Sequence, residues 1–172
     1  TWTYGIAHRD GKMFYVDGLD GTIGAYDMET GEQVHWWGSG HYQIPDIEVS
    51  ADAQSMWEVH ADFAEVIRYQ VNGDTRDDDV GCYFYQYSVV PSGVAAHGDL
   101  VVVTARDTHE FYVLELEQDG SWIDCTLLTV LPAVSEGGDL YIEYHDGYMW
   151  TSYRNGSTSY IDIIPWDWDV LE

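Results

Sequence analysis

Apolar and polar residues alternate along most of this chain in short runs that end at turns rich in glycine and aspartate. Residues 12–37, KMFYVDGLDGTIGAYDMETGEQVHWW, show the pattern most clearly, with turns at Asp20-Gly21 and Thr30-Gly31 and two tryptophans at the end. Alternation with a period of two, in runs rich in β-branched and aromatic residues, predicts β-strands. No segment carries the 3.6-residue apolar period of an amphipathic helix, so we predict an all-β fold.

The same succession of strands and polar turns occurs four times. Equivalent positions in the first turns lie 42, 47 and 48 residues apart, at His8, Ser50, His97 and His145. A period in the forties made of short strands is typical of β-propeller blades. We therefore predict a small β-propeller of about four blades in a single domain, residues 1–172, with blades at approximately 1–43, 44–90, 91–131 and 132–172. Two alternatives stay open: half of a larger propeller that a second chain completes, and a β-sandwich.

Each blade is expected to end in a fourth, outer strand. The apolar runs that follow the three-strand units predict these outer strands at residues 31–37, 82–90, 121–130 and 165–172. The chain has two cysteines, Cys82 and Cys125, which fall in the outer strands of neighbouring blades. Because outer strands diverge from the propeller axis, their Cα atoms are expected to exceed the ~7 Å limit for a disulfide. We therefore favour two buried thiols over a disulfide.

The first unit resembles a blade of the quinoprotein-like and YVTN-like propeller superfamily. The matching residues are Asp20-Gly21-Thr22, Tyr26-Asp27, Thr30-Gly31 and Trp36 or Trp37. This resemblance implies blade geometry and says little about activity, since many unrelated functions use propellers. The quinone-dependent enzymes of that superfamily have larger rings and adjacent cysteines near the cofactor. This chain has no adjacent pair, so no quinone cofactor is expected.

The charge of the chain restricts its partners. The formal net charge is −25, from 31 acidic and 6 basic residues, and Lys12 is the only lysine. The electrostatic field of such a negative charge repels nucleic acid and anionic membranes. No apolar run is long enough to span a bilayer. We therefore expect neither nucleic-acid binding nor membrane insertion. Because salt screens repulsion between surface charges, the composition also favours a saline environment.

Aromatic residues near predicted strand ends are the best candidates for a binding surface, because they combine a large contact area with a polar tip. The candidate binding residues are Trp36, Trp37, Tyr42, Tyr148, Trp150, Trp166 and Trp168. In the final segment WDWDVLE, alternation places Trp166 and Trp168 on one face of a strand. That face is expected either to close the ring or to dock a partner.

Little else in the sequence indicates chemistry. Calcium binding by the acidic segment GDTRDDDVG is left open, with Asp74, Asp77 and Asp79 as candidate ligands. No other cofactor is expected, and no nucleophile–base pair or phosphate-binding loop is found.

Three classes of function remain from the sequence: a recognition or structural module, an enzyme, and a pure assembly part such as a virion or surface-layer component. We expect a non-catalytic recognition or structural module that binds protein or glycan through its rim loops. Such a module would be extracellular, at a cell or virion surface. The alternative is an enzyme with a site in the central channel. A homo-oligomer or a larger assembly is also left open.

Overall fold

A computed structural model describes residues 3–17, 21–38, 43–50, 54–72, 75–83, 87, 89–106, 108–116, 125–133 and 140–170. Within these residues, fifteen strands form four antiparallel sheets, each built from strands that are consecutive in the chain. Helical structure within these residues is limited to 3-10 conformation, at Tyr87 and in the short turn Trp168–Val170. The all-β prediction is therefore confirmed.

The four sheets are the four blades. The first contains β1 (Thr3–Arg9), β2 (Lys12–Asp17), β3 (Thr22–Asp27) and β4 (Gln33–Gly38). The second contains β5 (Asp46–Val49), β6 (Ser55–His60), β7 (Glu65–Asn72) and β8 (Thr75–Tyr83). The third contains β9 (Pro91–His97), β10 (Leu100–Ala105), β11 (Glu110–Leu116) and β12 (Cys125–Pro132). The fourth contains β13 (Leu140–His145), β14 (Tyr148–Asn155) and β15 (Thr158–Pro165).

The turn after β3 shows how the sequence specifies a hairpin. Asp27 Oδ1 accepts hydrogen bonds from the backbone N–H of Glu29 at 2.9 Å and of Thr30 at 2.8 Å. The Thr30 bonds hold the pKa of Asp27 below its ordinary value. Gly31 follows with φ of 73°, a left-handed conformation that glycine adopts without strain. The Asp-x-x-Thr-Gly signature of the sequence is thus the signature of this turn.

The first strand of each blade lies at the centre of the molecule. β1 contacts β5, β5 contacts β9, and β9 contacts β13. These strands approach so closely that a Cβ atom on Gly5 would lie 2.8 Å from the Cα of Asp46. A Cβ atom on Gly93 would lie 2.9 Å from the carbonyl oxygen of Leu140. Innermost first strands and radiating hairpins are the arrangement of a β-propeller.

Three buried apolar clusters hold consecutive blades together. The first joins blades 1 and 2 through residues such as Phe14, Trp37 and Met56. The second joins blades 2 and 3 through Trp57, Val59, Val101, Tyr112 and neighbouring residues. The third joins blades 3 and 4 through Val102, Phe111, Leu140, Met149 and Trp168. Each cluster fills the space between two sheet faces, so three interfaces between blades are closed.

Two predicted outer strands are wrong. The outer strand of blade 2 is the acidic segment Thr75–Tyr83, not residues 82–90. An outer strand has one neighbour and a solvated edge, where charged residues are tolerated and even favoured. The final segment is not a strand, because blade 4 has three strands and Trp168–Val170 forms the 3-10 turn.

The prediction of free thiols is also wrong. Cys125 at the start of β12 is disulfide-bonded, and Cys82 in β8 is the other cysteine of the chain. The outer strands β8 and β12 contact each other. The expected divergence of these two strands therefore does not occur, and the cross-link joins blades 2 and 3 at their outer edges.

Candidate functional site

The space between blade 4 and blade 1 differs from the three closed interfaces. In the part of the chain that the structure describes, no buried apolar cluster joins β13–β15 to β1–β4. One face of each of these two sheets is therefore uncovered. We call them the front face of blade 1 and the rear face of blade 4, and we call the space between them the open interface.

The front face of blade 1 carries a row of residues that lie opposite one another across the sheet. Ile6 pairs with Tyr15, Tyr15 with Gly24, and Gly24 with Trp36. The ring of Tyr15 occupies the space above Gly24, where a Cβ atom would lie 2.5 Å from it, and stacks on Tyr26 at 5.4 Å. Ile6 is 55% exposed and Trp36 is 61% exposed. The row thus leaves a large apolar area on this face.

The rear face of blade 4 is similar. Trp150 lies opposite Ile163, and Ile161 lies opposite Ser152. Trp150 is 40% exposed, Ile163 is 51% exposed and Ile161 is 69% exposed. Residues of the other face of this sheet, such as Ile142 and Met149, are buried in the third cluster. The apolar residues of β14 and β15 therefore occur on both faces, although one face has no covering blade.

A groove of about 360 Å³ separates the two faces. Its walls include Ile6 from blade 1, with Trp150 and Ile161 from blade 4. Its floor reaches the centre of the propeller, where Asp46 and Glu143 line it. The open interface thus combines apolar walls with carboxyl groups at its inner end.

Arg9 spans the inner end of the open interface. Its Nη2 atom lies 2.7 Å from Glu48 Oε1, and its Nη1 atom lies 3.0 Å from Glu143 Oε1. Nη2 also donates to the carbonyl oxygen of Tyr144 at 3.0 Å. Arg9 belongs to β1, whereas Glu143 and Tyr144 belong to β13. A polar contact at the centre, rather than an apolar cluster, therefore connects the first and last blades.

The carboxyl groups around Arg9 outnumber it. Asp46 accepts a hydrogen bond from the backbone N–H of Val94 at 3.1 Å, and burial raises its pKa well above the ordinary value. Burial, followed by the nearby Glu143, likewise raises the pKa of Glu48, and burial raises that of Glu143. Glu48 Oε2 is buried without a hydrogen-bond partner. Uncharged carboxyl groups are therefore favoured in the folded state.

We expect the free energy of unfolding to fall as pH rises. The folded state keeps these carboxyl groups protonated at pH values where the unfolded chain has released the protons. The stability they provide is full below about pH 4, the range of unfolded carboxyl groups, and is lost as pH rises through the folded pKa values. Glu48→Gln keeps the acceptor for Arg9, removes the buried charge and should flatten this slope. Urea unfolding between pH 5 and pH 8 measures it.

Glu115→Gln is the matched control, because it removes the same charge from an exposed position on β11. Equal slopes for Glu48→Gln and Glu115→Gln would show that general charge repulsion, and not the buried group, sets the pH dependence.

A second buried polar group lies within blade 2. His60 is fully buried, with Nδ1 2.8 Å from Glu65 Oε1 and Nε2 3.0 Å from Glu58 Oε2. Each of these two bonds needs a proton, and a neutral imidazole supplies only one. Both ring nitrogens of His60 thus have a glutamate side chain as their partner. All three side chains are buried inside the blade, so we interpret the group as a structural polar network.

The candidate binding residues are found in different places. Trp36, Tyr148 and Trp150 lie on the two uncovered faces or at their edges. Trp37 is buried between blades 1 and 2, and Trp168 is buried between blades 3 and 4, with Trp166 packed against it at 5.8 Å. Tyr42 lies outside the described residues. The predicted strand over this segment is wrong, because Trp168–Val170 forms a 3-10 turn. Docking of a partner by Trp166 and Trp168 stays a prediction.

The candidate calcium residues are not gathered in a described site. Asp74 lies outside the described residues, and Asp77 and Asp79 belong to strand β8 rather than to a loop. Within the described ranges, no group of three or more His, Cys, Asp or Glu side chains has the arrangement of a metal site. No helix in the same ranges is long and apolar enough to cross a membrane.

The sequence patterns did not predict the buried polar residues of blade 2, although a signal existed. Four polar residues occur in short strands at positions that are otherwise apolar: Glu48, Glu58, His60 and Arg68. Charged residues inside such strands are rarely buried unless they are paired. A search for charged residues within predicted inner strands would have found them.

Comparison with known proteins supports the fold. No protein family and no curated protein matches the sequence. Among solved structures, the β-propeller domain of Cps50 (Swd1) from Myceliophteria thermophila is 13% identical, with a TM-score of 0.60. Hsv2 of Kluyvelomyces marxianus is 10% identical, with a TM-score of 0.55. A structure of polycomb repressive complex 2 (PRC2) of Chaetomium thermophilum gives 10% identity and a TM-score of 0.65.

These matches cover 92% of this chain in each case, but only 52%, 59% and 44% of the respective solved chains. This chain thus spans about half the length of the proteins it resembles in structure. At such low identity the likeness shows the fold alone. The prediction of a β-propeller fold is confirmed. The finer resemblance to the quinoprotein-like and YVTN-like superfamily stays a prediction.

Proposed function

We propose that this chain is a non-catalytic binding module that recognises a protein through the open interface between blades 4 and 1. The observation that carries this proposal is the exposure of apolar residues on two facing sheets, since each of the other blade interfaces contains a buried apolar cluster. Large exposed apolar areas rimmed by polar residues are typical of protein-binding surfaces. Trp36 and Trp150 are of the residue type that most often anchors such contacts.

A site-specific photo-crosslinking experiment tests this proposal. A photoreactive phenylalanine analogue is placed at position 36 or 150, and the labelled chain is irradiated in an extract of its native source. We expect protein adducts at both positions. The control position is 128, because Leu128 is also exposed but lies on the outer strand of blade 3. Equal adducts at all three positions, or none at 36 and 150, would contradict the proposal.

Glycan binding is a second candidate, supported by the aromatic front face of blade 1. Trp36 presents an exposed ring on the same sheet face as the stacked Tyr15 and Tyr26. Flat aromatic rings of this kind can stack on the apolar face of a sugar ring. A glycan array probed with the chain and with its Trp36→Ala variant distinguishes this candidate, which requires specific signals that the substitution removes. The enzyme alternative stays a prediction.

We further propose an extracellular location at a cell or virion surface in a saline environment. A disulfide at Cys125 supports an oxidising compartment. The net charge of −25 supports a saline one, because screening relieves the repulsion within a compact acidic protein.

The salt part of this proposal predicts a higher melting temperature in molar NaCl than in dilute buffer, measured by circular dichroism. The test uses NaCl because sulfate would strengthen apolar burial by itself. An unchanged melting temperature would count against the saline environment.

A further inference from the structure

We infer that the groove at the open interface accepts a positively charged side chain of the partner, a lysine or an arginine, whose charged end reaches the carboxyl groups at the inner end. This inference rests on the proposed function, because it names the chemistry of the protein that binds there. The inner end is complete within one chain, since contacts of Arg9 and Asp46 already bring the inner strand of blade 4 to blades 1 and 2.

Acceptors at the inner end of the groove exceed the donors that the described residues supply. Arg9 is bonded to one carboxyl oxygen of Glu48 and to one of Glu143. The other oxygen of Glu48 is buried and has no hydrogen-bond partner among the described residues, although Glu48 is only 1% exposed. Asp46 and Glu143 line the groove beside this group, and their charges act on Glu48. Three carboxyl groups therefore share one guanidinium.

The walls of the groove suit the apolar part of a long basic side chain. Glu143 lies directly opposite Trp150 across β13 and β14, so these two side chains share one face of the sheet. Ile6 and Ile161 also line the groove. Lysine and arginine bury an apolar stem while their charged head reaches a polar group, and a cation beside an indole ring gains further attraction. The groove thus offers a surface for the stem and acceptors for the head.

Charge complementarity selects a basic side chain over the other kinds. The chain has a net charge of −25, and its field draws cationic groups towards the surface. A neutral apolar side chain would cover the walls of the groove but would leave the buried oxygen of Glu48 unpaired, which is unfavourable. An acidic side chain would meet like charges, which is the usual way in which a site rejects a wrong partner.

Binding of a cation should be linked to the release of protons. Burial raises the pKa values of Asp46, Glu48 and Glu143. The positively charged or titratable groups that act on these carboxyl groups are Arg9 from β1 and His145 from β13. A cation favours the ionised form of a nearby carboxyl group. The affinity for a cation should therefore increase as pH rises from 5 to 8.

Titration of the native chain with small probes tests the inference. The probes are lysine, arginine and norleucine, each acetylated and amidated, because norleucine has a stem of similar length that ends without a charge. Nuclear magnetic resonance follows the indole N–H signals, and Trp150→Phe identifies the signal of Trp150 by its loss. We expect the lysine probe, the arginine probe or both to shift the Trp150 signal saturably, and we expect norleucine to leave it unchanged at the same concentrations.

Three variants locate the cation in the groove, with binding measured on the signals of the better cationic probe. Glu143→Gln keeps an acceptor for Arg9 but removes the charge, and it should weaken binding about fivefold, the upper range for an ion pair near the surface. Trp150→Leu keeps an apolar wall without the ring and should weaken binding about threefold. Glu115→Gln is the matched control, because it removes the same charge from an exposed position on β11. It should leave binding unchanged.

Several results would overturn the inference. The absence of a saturable shift with either cationic probe would exclude the site, and norleucine binding as tightly as lysine and arginine would exclude selection by charge. Equal effects of Glu143→Gln and Glu115→Gln, or an affinity that falls as pH rises, would show that the groove carboxyl groups do not bind the cation. In each of these cases, crosslinks from positions 36 and 150 to a protein would still support the proposed function, so the two failures are distinguishable.

Discussion

Trp168→Ala should lower the free energy of unfolding by about 3–5 kcal/mol, the usual cost of removing a buried tryptophan. The indole is buried between blades 3 and 4, where it stacks on His97 at 5.9 Å and meets Tyr144 edge to face at 5.4 Å. Its removal leaves a cavity in the third cluster that a short turn cannot refill. Urea unfolding followed by far-ultraviolet circular dichroism measures the loss.

Val170→Ala is the local control, because Val170 lies in the same turn but is exposed. It should change stability by no more than about 0.5 kcal/mol, as exposed substitutions usually do. A Trp168→Ala variant as stable as this control would show that the terminal turn does not seal the interface between blades 3 and 4.

Loss of the disulfide should cost about 4 kcal/mol. The loop between Cys82 and Cys125 spans 43 residues, and closing a loop of that length restricts the unfolded chain by about this amount in the chain-entropy description. We expect Cys82→Ser/Cys125→Ser to unfold at a correspondingly lower urea concentration. The native chain with dithiothreitol should match the double variant.

Reductant provides the internal control for that experiment. Dithiothreitol should leave the unfolding midpoint of the double variant unchanged, because no disulfide remains to be reduced. A native chain whose midpoint is also unaffected by reductant would show that the cross-link does not stabilise blades 2 and 3 against unfolding.

Patterns of neighbouring residues predicted the blades well, because residues close together in the sequence determine the geometry of a hairpin. The alternation of β2 and β3 and the Asp27–Thr30 turn bonds are set by neighbouring residues, so the repeat could be found from sequence. The outer strand Thr75–Tyr83 could not be found from the sequence, because its acidic residues lack the apolar alternation of an inner strand. The final WDWDVLE segment has that alternation and yet ends in a turn, since the third cluster binds Trp168 there.

The candidate site could not be predicted from local sequence patterns, because it depends on how the blades pack against one another. Trp36 and Trp37 are adjacent in the sequence, yet Trp36 is exposed and Trp37 is buried, because only one face of blade 1 has a neighbouring blade. Which face is covered depends on the rotation from blade to blade. The contact of Arg9 with Glu143 joins residues 134 positions apart, and the contact between β8 and β12 likewise depends on how two blades meet.

Hydroxyl-radical footprinting of the tryptophans tests most directly whether the interface between blades 4 and 1 is open. The measurement is made on the native chain at a concentration where it sediments as a monomer. We predict rapid oxidation of Trp36 and Trp150, which are 61% and 40% exposed, and slow oxidation of Trp37, Trp57 and Trp168, which are 5%, 3% and 4% exposed. If Trp36 and Trp150 were protected as strongly as Trp37 in that monomer, the chain would close its ring alone and the open interface would not exist.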